Sequence, residues 1–393
     1  MILSLGLNIF SQENIVDSNN KFSFKIYSAT NPKQTNFFIS PLSINIALAM
    51  TNEGAVNKTR NEIDSLLCLA NSKYNTELYQ DFIQKTIDLN DSIVRKCTSR
   101  YNYTEGENKL YIANSLWIEK NFKIKNDYKR NIKNNFYSNI FYFDSLNVSD
   151  ANNNLNKWVS ENTNNRINHI VNLNKNDKVC ILNAVYFMGM WDEKFEKGNT
   201  LKKPFTDINK NNLIIDFMNK KSIYKYYEDS LIQSVLIPYK CNQFSMLVLL
   251  PKGNIDLPNF ENNLNNDYFS RIIKNSNFNL IELSIPKYKI ESEVSLGNTL
   301  KRMGCSDMFT DSADFSNTSD SKLKVDVIIH KTFIEIDEEK TEAAAVTAVI
   351  RVRGGGSLKE PEYKIFNADH PFMFIIIDNR TNAILFMGRF VTK

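Results

Sequence analysis

The chain has 393 residues, 42% of them apolar and 12% aromatic, which is enough to bury a large core. Lys and Arg number 48 against 44 Asp and Glu; a net charge of +4 does not point to nucleic acid. A charged fraction of 23% beside that apolar content argues against global disorder.

The first ten residues carry no basic leader and no small-x-small cleavage site, a poor signal peptide. That leaves cytoplasmic residence or export by a non-classical route. Five cysteines at 68, 97, 180, 241 and 305 are odd in number and far apart, which argues against a disulfide framework and a zinc site. No apolar run approaches the ~20 residues of a membrane-spanning helix. A short strand is expected at 37–39, followed by a helix from Pro41 with Ser40 as N-cap. That helix is apolar nearly all round, so it should be buried, and Gly54 is its expected C-cap. A second, amphipathic helix follows over 59–67, a helical stretch over 78–89 and a polar loop over 99–108.

The run 110–118 reads as a strand and 122–137 as a helix with Lys125, Lys129, Arg130 and Lys133 outward. Such a face offers weak polyanion binding, although a solvated helix face is the commoner explanation. Residues 152–171 suit a helix and turn, 178–191 a long buried strand interrupted by Asn183, and 194–215 loop and turn. Two strands are expected within 231–251, joined near Asn242. The run 280–290 is a strand containing Pro286, which predicts a bulge or an edge position. A helix over 296–303, a loop over 311–322, a strand over 325–336 and two C-terminal strands around Phe374 and Leu385 complete the chain. Neither repeat nor linker breaks the pattern, so 1–393 reads as one domain. Helices lead and strands follow, which favours an α+β fold over alternating βαβ units.

Three histidines, no nucleophile elbow, no phosphate-binding glycine loop and no metal-ligand spacing leave an enzyme reading with little support. No cofactor or metal is implied. Polar residues do recur inside apolar elements: Ser40, Ser43, Asn183 and His330. Buried polar groups must be hydrogen-bonded. They are either separately satisfied or one network joining a helix to a sheet.

The segment 338–364 is unusual. Between two strand-like runs it has a small, β-tolerant first half (Thr341, Ala343, Ala344, Ala345, Val346, Thr347, Ala348, Val349, Ile350). Its second half is a basic, glycine-rich tip (Arg351, Arg353, Gly354, Gly355, Gly356, Lys359). Long loops in compact domains are usually functional. One that could become a strand is a stored conformational change.

A set of motifs runs through the chain: Asn36-x-Phe38-Ile39-Ser40-Pro41-x-Ser43-Ile44, Ala113-Asn114-Ser115-Leu116-Trp117, Asn156-x-Trp158-Val159 and Leu182-Asn183-Ala184-Val185-Tyr186-Phe187. Further along come Ile285-Pro286-Lys287-Tyr288, His330-Lys331, His370-Pro371-Phe372 and Ile384-Leu385-Phe386-x-Gly388-Arg389. Standing in order from about residue 20 to 391, these motifs together resemble the serpin family. The resemblance implies an α+β fold with three β-sheets, eight or nine helices and an exposed reactive-centre loop. It also implies a monomeric, irreversible suicide-type inhibitor of serine proteases. The protease cleaves the loop and forms an acyl-enzyme ester, and the loop's first half inserts as a new strand and traps it. Ser40, Ser43, Asn183 and His330 would form the shutter over which the large sheet opens. Glu338, Glu339, Lys340, Thr341, Glu342, Ala343, Ala344 and Ala345 would form the hinge, with Lys340 where the family has Gly. The alternate set Thr341, Ala343, Ala345, Thr347 and Val349 is small or β-branched and uncharged, which suits burial on insertion. Counting seventeen residues from Glu338 ends at Gly354 and sixteen at Arg353. An Arg fits the acidic pocket of a trypsin-like protease, so the expected reactive bond is Arg353–Gly354, with Arg351–Val352 second and Lys359 third. The alternative is a non-inhibitory serpin acting as a chaperone, carrier or storage protein.

Overall fold

The computed structural model describes residues 2–69, 81–82, 84–85, 108–167, 169, 173–253, 255–338 and 362–393. Most of the expected helix 78–89 and of the loop 99–108 lies outside them. Three helices open the chain: α1 (Ile2–Thr30), α2 (Pro41–Gly54) and α3 (Asn57–Leu66). The strand β1 (Phe37–Ile39) enters α2 as read: the Ser40 side chain caps it and Pro41 opens it. Every residue of α2 except Glu53 is buried, so its packing, not an amphipathic face, holds it in place. Gly54 is not a left-handed cap, because the chain leaves the helix through Ala55 in an extended conformation. Its role is close approach: a Cβ there would meet Thr318 Oγ1 at 1.7 Å.

Five strands form one sheet in the order β10 (Tyr288–Ser295), β11 (Val327–Ile336), β4 (Val179–Met188), β2 (Lys109–Glu119), β3 (Asn139–Phe143). α4 (Asn126–Phe136) connects β2 to β3, and α5 (Val148–Asn162) lies over one face. There Leu155 and Trp158 pack with Trp117, Leu182 and Phe333, while the opposite face packs on the main core with α2. β4 is therefore buried on both sides and reads as an apolar run interrupted only by Asn183.

Nine strands form the other ladder. β1, β14 (Ile384–Phe390), β13 (Phe372–Asp378), β8 (Phe244–Pro251), β7 (Ile232–Pro238), β6 (Asn212–Glu228), β9 (Asn277–Pro286) and β12 (Lys364–Asn367) lie in that order, and β5 (Leu201–Thr206) adds to β6. β6 carries 17 residues. Its first part pairs with β5 and β9 and its end with β7, so it joins two of the three expected sheets into one ladder. Residues 194–215 are thus not all loop, as β5 and the start of β6 fall there. The short β5 has exposed Leu201 and Lys202, a half-buried Lys203 and then Pro204, with Phe205 its one buried side chain, which hides it from a pattern search. α6 (Leu257–Asn263), α7 (Asn266–Asn275) and α8 (Gly297–Arg302) bring the helices among the described residues to eight.

Pro286 neither bulges nor sits at an edge. It is a corner: β9 ends there, the Lys287 N–H donates to Asp216 O at 2.9 Å, and β10 begins in the other sheet. Cys241 is disulfide-bonded, whereas Cys68, Cys180 and Cys305 are free. No helix among the described residues is long and apolar enough to cross a membrane.

Gly388 sits mid-strand in β14, opposite Phe38 of β1 and Phe374 of β13. A Cβ there would stand 2.4 Å from the Phe374 ring and 2.9 Å from Phe37 O, and backbone cannot yield as a side chain can. Gly388→Ala is expected to cost about 1–3 kcal/mol as overpacking, seen as a lower midpoint in urea unfolding with unchanged slope.

Candidate functional site

The segment 338–361 follows β11 in sequence, and among the described residues several contacts hold the chain at its first residue, Glu338. β11 pairs with β10 antiparallel on one side and with β4 parallel on the other, from Val327↔Cys180 to Phe333↔Tyr186. That parallel seam lies between antiparallel neighbours, because β4 also pairs antiparallel with β2. A strand running back from the end of β11 would be antiparallel to both seam strands.

The polar residues singled out in the sequence meet beneath this seam. The register puts His330, Asn183 and Asn114 in one row across β11, β4 and β2. The Ser40 N–H donates to His330 Nε2 at 3.0 Å. Nε2 is then the acceptor, so Nδ1 carries the proton and donates to Asn183 Oδ1. The Asn183 amide in turn donates to Ser43 O at 2.9 Å, to Ser43 Oγ and to Asn114 Oδ1. Ser40 Oγ donates to Leu385 O at 2.8 Å and accepts from the Ser43 N–H at 3.2 Å. Ser40, Ser43, Asn183 and His330 are therefore one network, which ties the start of α2 to both strands of the seam.

Sequence reading gave Asn114 no role, although a lone Asn in an apolar strand is the signal that singled out Asn183. It also missed a second pair beside the network. Phe38 of β1 donates its N–H to Ser292 Oγ at 3.0 Å and accepts from Thr332 Oγ1 at 2.6 Å. Single serines and threonines give no such signal.

Just past the end of β11, Glu338, the first residue of the expected hinge, is buried. Its carboxylate accepts from Lys287 Nζ at 2.6 Å and from the Thr200 hydroxyl. Burial opposes ionisation, but these two donors outweigh it and hold the Glu338 carboxyl below its ordinary range. The Trp191 indole N–H donates to Asp337 O at 3.0 Å, and its ring stacks on Tyr239 at 4.6 Å. Lys287 and Thr200 come from the Pro286 corner and the approach to β5, features whose geometry only the fold reveals. The rest of the expected hinge (Glu339, Lys340, Thr341, Glu342, Ala343, Ala344, Ala345) lies outside the described residues. So do the bond candidates Arg353, Gly354, Arg351, Val352 and Lys359. On the basic face of α4, Lys125 pairs with Asp320 at 2.8 Å and Arg130 with Asp127 at 2.7 Å. Lys129 lies over the Tyr142 ring at 5.3 Å. No cluster that could hold a metal ion occurs among the described residues.

Residues 17–393 match the family model described as serpin (serine protease inhibitor). The chain belongs to the serpin family. It is 31% identical to human serpin B3 over 95% of this chain and 98% of that one. A serpin-like protein of Methanosarcina mazei is 34% identical over 95% of this chain and 86% of its own length. The native structure of the thermophilic serpin tengpin superposes with a TM-score of 0.76 at 33% identity, covering 96% of this chain and 94% of that one. Serpins are in general protease inhibitors rather than catalysts, and the fold is the serpin fold.

Burial holds His330 at a pKa of about 3, far below the ordinary 6.5. Between those values the unfolded chain binds a proton that the folded chain refuses. The stability this neutral histidine supports is complete above pH 6.5 and is lost as pH falls toward 3, by at most ~1.4 kcal/mol per unit. Thermal unfolding scanned from pH 7.5 to 4.5 should show a steeper decline for the parent than for His330→Asn. Equal slopes would remove His330 as the titrating group.

Proposed function

We propose that the chain is an irreversible, suicide-type inhibitor of trypsin-like serine proteases, acting as a monomer with 1–393 as one domain. The observation that carries the reading is the parallel seam between β11 and β4, with its polar network beneath and the strand-like 341–350 segment directly after it in sequence. Parallel pairing is slightly less stable per residue than antiparallel pairing. Inserting a strand between β11 and β4 exchanges one parallel ladder for two antiparallel ones. The ten residues 341–350 equal β11 in length. The inward set Thr341, Ala343, Ala345, Thr347 and Val349 places no charge in the sheet.

The chemistry belongs to the protease. Its serine oxygen attacks the Arg353 carbonyl carbon, the bond to Gly354 N breaks, and the amine leaves with the proton delivered by the protease histidine. What remains is an ester to Arg353. Insertion of 341–350 then carries the bound protease away from the loop pole, and hydrolysis of the ester is outrun. For that, Glu338 must release Lys287 and Thr200, and Trp191 must release Asp337. His330 and Asn183 must part as β11 and β4 separate. The reactive pair is Arg353–Gly354, with Arg351–Val352 as the second choice. A non-inhibitory serpin is the second reading, favoured by Lys340. Lysine lacks glycine's conformational freedom at the point where the chain must turn back into the sheet.

Equimolar incubation with trypsin should give an SDS-stable adduct, and mass spectrometry of the released peptide should begin at Gly354. Cleaved chain with no adduct, and no gain in thermal stability on cleavage, would favour the second reading. If Lys340 slows insertion, Lys340→Gly raises the ratio of adduct to cleaved chain several-fold at an unchanged total rate of loop attack. A ratio that does not move clears Lys340 of that effect.

A further inference from the structure

The motif His370-Pro371-Phe372 has no task in the proposed function. His370 lies on the turn between β12 and β13, and its side chain is 31% exposed. Both ring nitrogens face oxygen. Nδ1 lies 2.8 Å from Asp369 Oδ1, and Nε2 lies 2.8 Å from Pro251 O at the end of β8. A neutral imidazole has one N–H and one lone pair, so it satisfies one of these acceptors and turns its lone pair on the other. Only the cationic ring donates to both. Burial opposes charge on this ring, but the Asp369 carboxylate and Pro251 O outweigh it and hold His370 above its ordinary 6.5. Lys210, on the turn from β5 to β6, acts in the opposite sense without reversing the balance. The neighbouring charges on the packed elements are engaged elsewhere. Asp207 accepts from the N–H groups of Asn209 and Asn211. Lys252, next to Pro251, and Lys364 of β12 pair with Glu228 at 3.1 and 2.8 Å.

Asp369 passes the grip on. Its Oδ2 accepts from Asn367 Nδ2 at 2.8 Å, and its backbone O accepts from the Thr206 N–H at 2.8 Å. Asn367 ends β12, a strand of four residues at the edge of the nine-stranded ladder. Among the described residues β12 has β9 as its one strand partner. Pro251, His370, Asp369 and Asn367 therefore make one line from a buried strand to an edge strand. β12 is also the first strand after the segment 338–361 in sequence.

We propose that His370 is a pH-sensitive clamp on β12: the cationic ring ties this strand to the end of β8, and loss of the proton frees it. The folded chain holds the proton more tightly than the unfolded chain. The stability the clamp adds is therefore complete below pH 6.5 and is lost as pH rises through the raised value. One proton changes the opening equilibrium of β12 by at most about tenfold per pH unit. His330 has the opposite sign, since its support fails in acid. The two histidines thus bracket the range in which the seam and β12 are both held. The clamp is a property of the fold and does not rest on the inhibitory reading.

The test is amide hydrogen exchange of the full chain from pH 6.0 to 8.5, read by mass spectrometry and corrected for the base-catalysed chemical rate. Peptides spanning 364–369 report the opening of β12, and peptides from the fully buried β13 are the internal reference. In the parent, β12 should open several-fold more at pH 8.5 than at pH 6.0, with β13 unchanged. His370→Gln is neutral throughout, so its β12 should already be open to the high-pH extent at pH 6.0 and show no trend. Asp369→Asn keeps the ring and removes its anion, so the transition should move to lower pH. That variant carries the test if His370→Gln does not fold. The same pH trend in parent and His370→Gln, or a parent without a trend, overturns the clamp. So does an imidazole titration by NMR that places His370 at or below 6.5.

Discussion

A single parallel seam organises this protein. β11 and β4 share seven residue pairs, and each has an antiparallel neighbour on its far side. Parallel neighbours need a long connection, and here the chain travels from Met188 to Val327 and builds most of the nine-stranded ladder on the way. Because the two seam strands are not connected locally, nothing covalent prevents them from parting. What holds them is the ladder itself, the helix α2 beneath and the side chains that tie the three together.

Those ties are polar, and that choice has a physical consequence. A hydrophobic clasp holds through area and resists separation gradually, whereas a hydrogen-bond network holds through direction and fails when its partners move by an ångström or so. His330 serves this purpose only as a neutral ring with its proton on Nδ1, since Nε2 must accept from Ser40. Burial secures that state by penalising the charged ring. At the end of the same strand the logic is reversed. Glu338 stays ionised although buried, because Lys287 and Thr200 outweigh the cost of taking its charge out of water. Separating a buried carboxylate from its cation is costly, so this pair holds the chain in place just past the end of β11.

Much of this was legible in the residues. Ser40 and Pro41 announced the start of α2, and the all-round apolar run after them announced its burial. Asn183 and His330 stood out because polar residues inside apolar strands need partners. The same reasoning did not find Lys287 or Thr200, since a lysine after a proline and a threonine in a turn are ordinary surface residues until a corner between sheets brings them to one carboxylate. Gly54 misled for a related reason. Glycine at a helix end suggests a left-handed cap, but the constraint there is Thr318, 264 residues away in sequence. Pro286 misled likewise, since a proline in a strand signals an interruption without saying that two sheets meet there.

Sequence alone determined the family, the order of the elements and the chemistry of the segment 338–364, because motifs, periodicity and charge are local properties. It also determined which polar residues would have to find partners inside the core. Tertiary structure alone decided who those partners are, that β11 and β4 run parallel, and that Asp337 and Glu338 after β11 are held by Trp191, Lys287 and Thr200. Those contacts join residues scores of positions apart, and only the packing of two sheets around one buried helix brings them within hydrogen-bonding distance.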